Sequence, residues 1–392
     1  MEYNFDKIIN RAGTHSLKWD FCEKLTGEKE ILPMWIADMD FEAPEPVVEA
    51  IRKWTEHGIF GYTERSDTYY DAVIQWMKKR HDWEVHKEWI TFTPGVVPSI
   101  NIAVQAFSQP GDKVILQPPV YYPFMSAVLN NGRRVVNNNL RIEEGRFLMD
   151  YEALKNSIDE KTRMIILCSP HNPVGRVWTK DELETLARIC LDHDIIMVSD
   201  EIHSDLVMKQ YSHTPLATLS EEVEKAVVTC TAPNKTFNLA GLQMANIIIP
   251  NRTLYNQFKN TVAKAGLEMA NMFGIVATEA AYNHGEEWLE QLLKYLQQNY
   301  NFLVSFIEEN IPQVKVFPLE GTYLVWLDFR SYGLSDEKMK ELLRKKAKVW
   351  LSEGYIFGRG GEGFQRMNIA CPRKLLEEGL TRIAKALNSL ES

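Results

Sequence analysis

The chain has 392 residues, 45% of them hydrophobic, and is therefore long enough for two ordinary domains or for one large domain with an appendage. Its formal net charge of -9, from 53 acidic and 44 basic residues without a long basic run, argues against nucleic acid or an anionic membrane as the main partner. The N-terminus lacks a basic segment followed by an apolar one, and no run of about 18 apolar residues occurs, so we expect a soluble, cytoplasmic protein that acts on small molecules.

Cysteine and histidine usage gives no sign of a disulfide framework or a metal site. His81 and His86, separated by five residues, would not share a helical face well enough to chelate a metal, and we expect no metal. The cysteines are odd in number, scattered and without CxxC spacing, so we expect each to be a small buried hydrophobe. They are Cys22, Cys168, Cys190, Cys230 and Cys371.

Residues 1 to about 45 show no regular pattern. Within them, residues 32–41 (LPMWIADMDF) form an apolar run interrupted by two aspartates, and we expect a strand or an arm packed on the body of the protein. Pro46 suits the first turn of a helix that ends at Gly58. A second helical pattern follows and runs through Trp76.

From about residue 89 the pattern changes to short apolar runs that alternate with helical stretches such as 181–193. These runs have little polar alternation, which is typical of strands buried on both faces. The pattern predicts an α/β architecture in which a mostly parallel sheet is covered by helices. The predicted strands are 89–92, 113–116, 164–168, 195–198 and 227–229.

The chain after about residue 285 has a different organisation. A long helix from 286 to about 310 precedes short strand-like runs at 315–317 and 321–327, and further helices are predicted at 335–348 and 374–390. This pattern indicates a smaller α+β unit. We predict a large domain over 46–285 and a small domain made of 1–45 together with 286–392.

Polar groups follow several predicted strands directly. Asp200 ends one strand, where it is either a helix cap or solvated turn, or a carboxylate of a site. Asn172 lies in a loop with two prolines and a glycine, which is either an ordinary turn or the presentation of an amide. Gly95 leads into a helix, 97–107, whose free N–H groups suit a phosphate, although every βα unit has such a turn.

Two further segments complete this set. Tyr121 and Tyr122 follow another strand and supply aromatic rings. Lys235 lies in a loop between two apolar runs, where a lysine either extends its ammonium to water or serves as an amine for covalent chemistry. Because ligands bind beyond the carboxyl ends of such strands, these groups would converge. An amine, a carboxylate, an amide, an anion-binding helix start and a flat aromatic ring are what pyridoxal 5'-phosphate needs.

Longer motifs support this interpretation, and through them the whole chain resembles one family. It is similar to the fold-type I pyridoxal-phosphate enzymes of the aminotransferase class I/II group, and within that group to the MalY/PatB-type C-S lyases, which include cystathionine β-lyase and cystalysin. The motifs are WIADMDF at 35–41, PGVVP at 94–98, VYYPF at 120–124, SPHNPVGRVW at 169–178, DEIH at 200–203, Lys235 with Asn238 and Gly241, and EGTY at 320–323.

The resemblance implies a fold and a set of cofactor contacts. The fold would be α/β, with a mostly parallel seven-stranded sheet in the large domain. Lys235 would bond covalently to the cofactor, Asp200 would pair with its pyridine nitrogen, Asn172 would bond O3', and Tyr121 would stack on the ring. His203 stands where many aminotransferases have a tyrosine near O3'.

The resemblance also implies a phosphate cradle and a homodimer. Gly95 and Val96 would bind the cofactor phosphate, with help from Tyr62 contributed to the partner's site. Asn234 replaces the serine usual in the lyase subgroup, but its amide can still donate a hydrogen bond, and Thr231 could assist.

The substrate contacts follow from the same comparison. Arg366 matches the arginine that holds the substrate α-carboxylate, and its alternative role is a surface ion pair. Tyr122 would lie close to the substrate, as would Trp35 and Ala37 of the WIADMDF segment.

These matches imply β-elimination from cystathionine, cystine or related cysteine thioethers, giving a thiol, pyruvate and ammonia. Gln243 occupies the position where aminotransferases of the group have an arginine, which favours a lyase. The alternatives are an aminotransferase, which would share every cofactor contact, and a regulatory interaction protein that retains the fold.

Overall fold

The computed structural model describes residues 2–390. The strands, in chain order, are β1 Leu32–Pro33, β2 Ile90–Thr93, β3 Lys113–Leu116, β4 Arg134–Asn137, β5 Arg141–Glu143, β6 Arg146–Leu148, β7 Thr162–Cys168, β8 Ile196–Asp200, β9 Val227–Thr231, β10 Ala245–Ile248, β11 Lys315–Val316, β12 Leu324–Asp328, β13 Val349–Trp350, β14 Ser352–Glu353 and β15 Phe364–Asn368. The α-helices are α1 Cys22–Thr26, α2 Glu45–His57, α3 Asp67–His81, α4 Val96–Phe107, α5 Pro123–Asn130, α6 Tyr151–Ser157, α7 Lys180–Leu191, α8 Glu221–Ala226, α9 Pro233–Thr236, α10 Arg252–Lys264, α11 Met272–His284, α12 Glu286–Asn310, α13 Asp336–Glu341 and α14 Arg373–Asn388.

A seven-stranded sheet forms the centre of the fold, in the order β2-β10-β9-β8-β7-β3-β4. Its strands run parallel except β10, which is antiparallel to both of its neighbours. The central strands are buried on both faces, which explains their continuous apolar sequences. The predicted α/β class with a mostly parallel seven-stranded sheet is confirmed.

Helices cover both faces of this sheet. On one face, α4 and α10 bring Ile100, Val104 and Phe258 into a core with alternate residues of the strands, such as Ile166. The opposite residues of the same strands join the larger core, to which α3, α7, α11 and α12 contribute. The sheet is therefore the middle layer of three, and only its ends are open to a ligand.

A second, antiparallel sheet has the order β11-β12-β15-β14 and contains residues from the C-terminal part of the chain. The N-terminal segment attaches beside it, because β1 pairs in parallel with β13 through Leu32 and Val349. The expectation that residues 32–41 include a strand packed on the body is therefore met by β1. The domain boundaries at 45/46 and 285/286 stay a prediction.

The lysine segment differs from the expected loop. Pro233 to Thr236 form α9, a single helical turn that begins directly after β9 and Ala232. Pro233 stands at the start of this turn, where its fixed φ suits a helix and its missing N–H costs no hydrogen bond. The turn projects Lys235 from a rigid element rather than from a flexible connection.

Two other expectations concern the cysteines and membrane-spanning helices. All five cysteines are free and buried, which confirms that they are packed as small hydrophobes. In the part of the chain that the structure describes, no helix combines the length and the apolar character needed to cross a membrane.

Candidate active site

The predicted site residues other than Tyr62 meet at the carboxyl edge of the seven-stranded sheet. The strands β2, β7, β8 and β9 all run toward this edge, and Cys168 of β7 and Cys230 of β9 flank Asp200 of β8 in register. Each of these strands ends here, and the chain continues into one of the segments singled out from the sequence. The parallel topology therefore brings together residues that are far apart in the chain.

Lys235 is held against the N-terminal segment. Its Nζ donates a hydrogen bond of 2.6 Å to the carbonyl oxygen of Ala37. Burial, together with the nearby positive charge of Arg366, lowers the pKa of this amine to about 8, although Asp38 and Asp200 act in the opposite direction. A lysine amine with such a pKa is a competent nucleophile and base near neutral pH.

Asp200 is buried at the end of β8. Burial raises the pKa of its carboxyl to about 7, although a hydrogen bond from the N–H of Ile202, 3.1 Å away, and the charge of Lys235 both favour the ionised form. A carboxylate kept at this cost is poised to bind a cationic group. The protonated nitrogen of a pyridine ring is such a group.

Arg366 lies on β15 and joins the second sheet to the site. One of its amino groups donates to Oδ1 of Asn172 at 2.8 Å, and the other donates to the carbonyl of Trp35 at 2.7 Å and to Oγ of Ser352 at 3.1 Å. Burial lowers the pKa of Arg366 to about 10, and its Nε is buried without a hydrogen-bond partner among residues 2–390. Its guanidinium is thus oriented by the protein and retains a free donor for a carboxylate.

Aromatic and imidazole groups surround these charges. Burial raises the pKa of Tyr121 to about 12, and Asp200 and Arg366 are among the charges that it senses. Tyr122 is the more open of the two tyrosines, with 44% of its surface exposed, which suits a residue beside an entering substrate. Burial holds the pKa of His203 well below its usual value, so this imidazole is neutral, and its Nδ1 has no partner.

The predicted phosphate cradle lies at the start of α4. Gly95 precedes the helix with φ of 117°, a conformation that disfavours other residues, and the hydroxyls of Thr93 and Ser99 each donate to its carbonyl at 3.0 Å. Val96 begins the helix, so its N–H has no acceptor within the helix. The N–H of Gly95 donates to the carbonyl of Thr93 at 2.8 Å, which fixes the loop. The N–H groups left for an anion are therefore those at the start of α4, beginning with Val96.

The other two predicted phosphate contacts differ from each other. Asn234 is buried in α9, and its Oδ1 lacks a partner. The Thr231 hydroxyl instead donates to the carbonyl of Asn246 on β10 at 3.2 Å, so its proton is already used. Oδ1 can only accept a hydrogen bond, but Nδ2 of Asn234 makes no hydrogen bond within residues 2–390, so Asn234 is the better placed of the two to donate to an added phosphate.

The N-terminal segment enters the site mainly through its backbone. The ring of Trp35 stacks on Trp350, with centroids 4.2 Å apart, and the carbonyl of Trp35 meets Arg366. The Nδ2 of Asn368 donates to the carbonyls of Ile36 and Asp38 at 2.7 and 2.8 Å. These contacts explain how the carbonyl of Ala37 is presented to Lys235.

Sequence reasoning missed some of these positioning residues. Asn368 and Ser352 lie in short strands that contain other polar residues, and nothing in their local pattern signals a role. Asn238 belongs to the lysine motif, but the motif does not indicate what the side chain does. Its Oδ1 accepts a hydrogen bond from the N–H of Met39, and its Nδ2 donates to the carbonyls of Met39 and Phe41.

Tyr62 does not join the other residues within one subunit. Its side chain is 98% exposed, in an extended segment between α2 and α3 that also exposes Ile59 and Phe60. Two exposed apolar side chains beside an exposed tyrosine are consistent with a surface that another molecule covers.

The residues present fit pyridoxal phosphate. Asp200 supplies a buried acid for the ring nitrogen, and Lys235 supplies an amine of depressed pKa for the aldehyde. The start of α4 offers N–H groups to the phosphate. Buried polar atoms left without partners at His203 and Asn234 add hydrogen-bonding capacity beside them.

Comparison with known proteins also indicates a pyridoxal-phosphate-dependent enzyme. Residues 29–383 match the family described as aminotransferase class I and II. The chain is 47% identical over 386 residues to cystathionine beta-lyase PatB of Bacillus subtilis (strain 168), covering 98% of this chain and 100% of that protein.

Two solved structures are similar over their full length. A pyridoxal-phosphate-bound protein of Clostridium difficile 630, provisionally described as an aminotransferase, superposes with a TM-score of 0.97 at 46% identity, covering 99% of this chain and 100% of that one. Cystalysin of Treponema denticola, which contains pyridoxal 5'-phosphate, superposes with a TM-score of 0.96 at 40% identity, covering 100% of both chains. The chain therefore belongs to the aminotransferase class I and II family of pyridoxal-phosphate-dependent enzymes.

Proposed function

We propose that this chain is a pyridoxal-phosphate-dependent C-S β-lyase. Its substrates are cystathionine, cystine or related cysteine thioethers. With water, a thioether yields a thiol and cystine yields the hydropersulfide of cysteine, in each case together with pyruvate and ammonia. The observation that carries the proposal is the 47% identity to a cystathionine β-lyase over the full length of both chains. By contrast, an aspartate aminotransferase of Pyrococcus horikoshii is 27% identical.

The geometry supports a reaction that begins at the substrate Cα. Arg366 is fixed by Asn172, Ser352 and the carbonyl of Trp35, and it would hold the substrate carboxylate in a defined orientation. With a pKa of about 8, the amine of Lys235 can accept the Cα proton near neutral pH and donate it again in a later step of the reaction.

The cofactor chemistry needs little more from the protein. When bound, pyridoxal phosphate supplies an electron-accepting ring conjugated to the substrate amine, which makes loss of the Cα proton and then of the β-sulfur feasible. Asp200 would hold a proton at the ring nitrogen, because its carboxylate is buried and Lys235 is the only cationic group among residues 2–390 that lowers its pKa. The roles of the individual residues stay proposals.

A product assay separates the lyase from the aminotransferase. The purified enzyme should release pyruvate and thiol from cystathionine without any keto acid, and it should show an absorption band at roughly 420 nm. The Lys235→Ala protein should lose turnover and this band. If the enzyme only transferred nitrogen to an added keto acid and released no thiol, the C-S lyase proposal would be wrong.

We also propose that the enzyme works in the cytoplasm as a homodimer in which each subunit's Tyr62 reaches the other subunit's cofactor phosphate. The full exposure of Tyr62 within one subunit supports this arrangement. Sedimentation of the holoenzyme should give twice the chain mass of 45.3 kDa. A mixed dimer of Lys235→Ala and Tyr62→Ala subunits should regain part of the activity that both pure variants lack.

A further inference from the structure

One cavity of the protein is lined by residues outside the candidate active site. It has a volume of about 670 Å³ and opens between the C-terminal end of α3, the segment 204–213 and the first half of α12. Lys235, Asp200 and Arg366 are absent from its lining. The proposed lyase reaction therefore makes no use of it.

The cavity has a buried polar wall. Nε2 of His81 lies 3.0 Å from Oδ1 of Asp205, and Nε2 of His213 lies 2.9 Å from Oε2 of Glu201. The two imidazole rings meet edge to face, with centroids 5.5 Å apart. The side chain of His213 is 2% exposed, and its Nδ1 has no hydrogen-bond partner in the part of the chain that the structure describes. The wall thus has a polar atom whose hydrogen-bonding capacity is unmet.

The lining of the cavity contains three basic side chains, those of Arg80, Lys209 and Lys294, and two carboxylates, those of Asp205 and Glu290. Arg80 is paired with Glu290, and Asp205 accepts hydrogen bonds from the Trp76 indole and the Thr236 hydroxyl and lies 3.0 Å from Nε2 of His81. Lys209 and Lys294 also line the cavity, and neither takes part in a salt bridge among residues 2–390. These two lysines leave the cavity electrostatically suited to an anion.

Two hydrogen-bonded connections link this wall to the cofactor residues. The hydroxyl of Thr236 donates to Oδ2 of Asp205 at 2.8 Å, and Thr236 directly follows Lys235. Glu201, which accepts from His213, directly follows Asp200. A ligand that shifted Asp205 or His213 would therefore act on the backbone that carries Lys235 and Asp200.

We propose that this cavity is a regulatory binding site for a small carboxylate that also carries a hydroxyl or amino group. The carboxylate would bind Lys209 and Lys294, and the donor would bind the histidine wall. Occupancy is transmitted to Lys235 through Asp205 and Thr236. The inference rests on the proposed function only in that the bound cofactor serves as its reporter.

Binding is tested on the holoenzyme with L-malate and succinate, which have the same charge and differ by one hydroxyl. Calorimetry should show malate binding more tightly than succinate. Replacing Lys209 and Lys294 together by glutamine should weaken malate roughly tenfold or more, since two charge-assisted contacts are lost. Equal affinity in the parent and the double variant, or no binding of malate at all, would overturn the site.

Transmission is tested separately by the visible absorption of the bound cofactor. Malate should shift this spectrum in the parent protein, whereas Thr236→Val, which keeps the shape but removes the hydroxyl, should bind malate and show no shift. An unchanged spectral response in Thr236→Val refutes the coupling through Asp205. Because both readouts need bound cofactor but no turnover, they remain valid even if the enzyme cleaves no thioether.

Discussion

Replacing Asp200 by asparagine should stabilise the cofactor-free protein while impairing the enzyme. Asparagine has the same shape as aspartate and can still accept the hydrogen bond from Ile202. It carries no charge, so the cost of burying a carboxylate at the end of β8 disappears. The same change removes the partner proposed for the cofactor's ring nitrogen.

The magnitude follows from the pKa of Asp200. Its rise from the ordinary value of 3.8 to about 7 corresponds to about 4 kcal/mol at about 1.4 kcal/mol per unit. Between these two values the folded protein retains a proton that the unfolded chain has released, so stability falls as pH rises from about 4 to about 7. Above about pH 7 the full cost is present. The asparagine variant should therefore gain up to about 4 kcal/mol at pH 8 and almost nothing near pH 4.

Urea unfolding of the cofactor-free proteins, at one protein concentration and at pH 5 and pH 8, measures this gain. Asp192→Asn, at an exposed position after α7, is the matched control and should change stability by less than about 0.5 kcal/mol. In the holoenzyme, loss of the buried charge pair should lower kcat roughly a hundredfold or more. A variant no more stable than the parent at pH 8, or equally stabilised at both pH values, would refute the reasoning.

Two other positions test how the site is held. Glu320 is fully buried and accepts hydrogen bonds from Arg176, Arg146 and the N–H of Val177. Glu320→Gln should therefore lower the free energy of unfolding by about 3 to 5 kcal/mol, measured by thermal or urea unfolding. As the control, Glu152→Gln breaks the exposed Lys155–Glu152 pair and should lower it by less than about 1 kcal/mol. Asn238→Asp tolerates the left-handed backbone, with φ of 59°, but loses both donors to the N-terminal segment. The variant should raise KM for cystathionine several-fold more than it lowers kcat. Asn310→Asp, at the exposed end of α12, is the control and should change neither constant. Equal effects of the two substitutions would contradict the role of Asn238 in holding the N-terminal segment.

The sequence predicted the sheet well because its signal is local. The strands expected at 89–92, 113–116, 164–168, 195–198 and 227–229 all exist, with ends within two residues of those observed. Continuous apolar runs bounded by polar residues define such strands without reference to the rest of the chain. The order of the strands then places their carboxyl ends together, and most of the predicted site residues with them.

The contacts that orient the site depend on distant parts of the chain and have no local signal. Arg366 and Trp35 are 331 residues apart, and Asn368 and Asp38 are 330 apart. A carbonyl such as that of Ala37 acts through its position, so its residue type says nothing about its role. The one-turn helix α9 was missed for a related reason, since four residues are too few for a periodic pattern.

Lys235 and Asp200 together predict a minimum in the stability of the cofactor-free protein between about pH 7 and pH 8. The lysine pKa is lowered from 10.5 to about 8, so below about pH 8 the fold buries a charged amine, and this cost disappears as pH rises from about 8 to 10.5. The cost of Asp200 is complete only above about pH 7, so both costs coincide in this interval. The attraction between the Lys235 ammonium and the Asp200 carboxylate is already included in both pKa values, so it does not remove the minimum. Bound cofactor should offset both costs by pairing the carboxylate and consuming the amine, and the minimum should then vanish from urea unfolding of the holoenzyme. A cofactor-free protein whose stability is highest between pH 7 and 8 would contradict this origin of the site's reactivity.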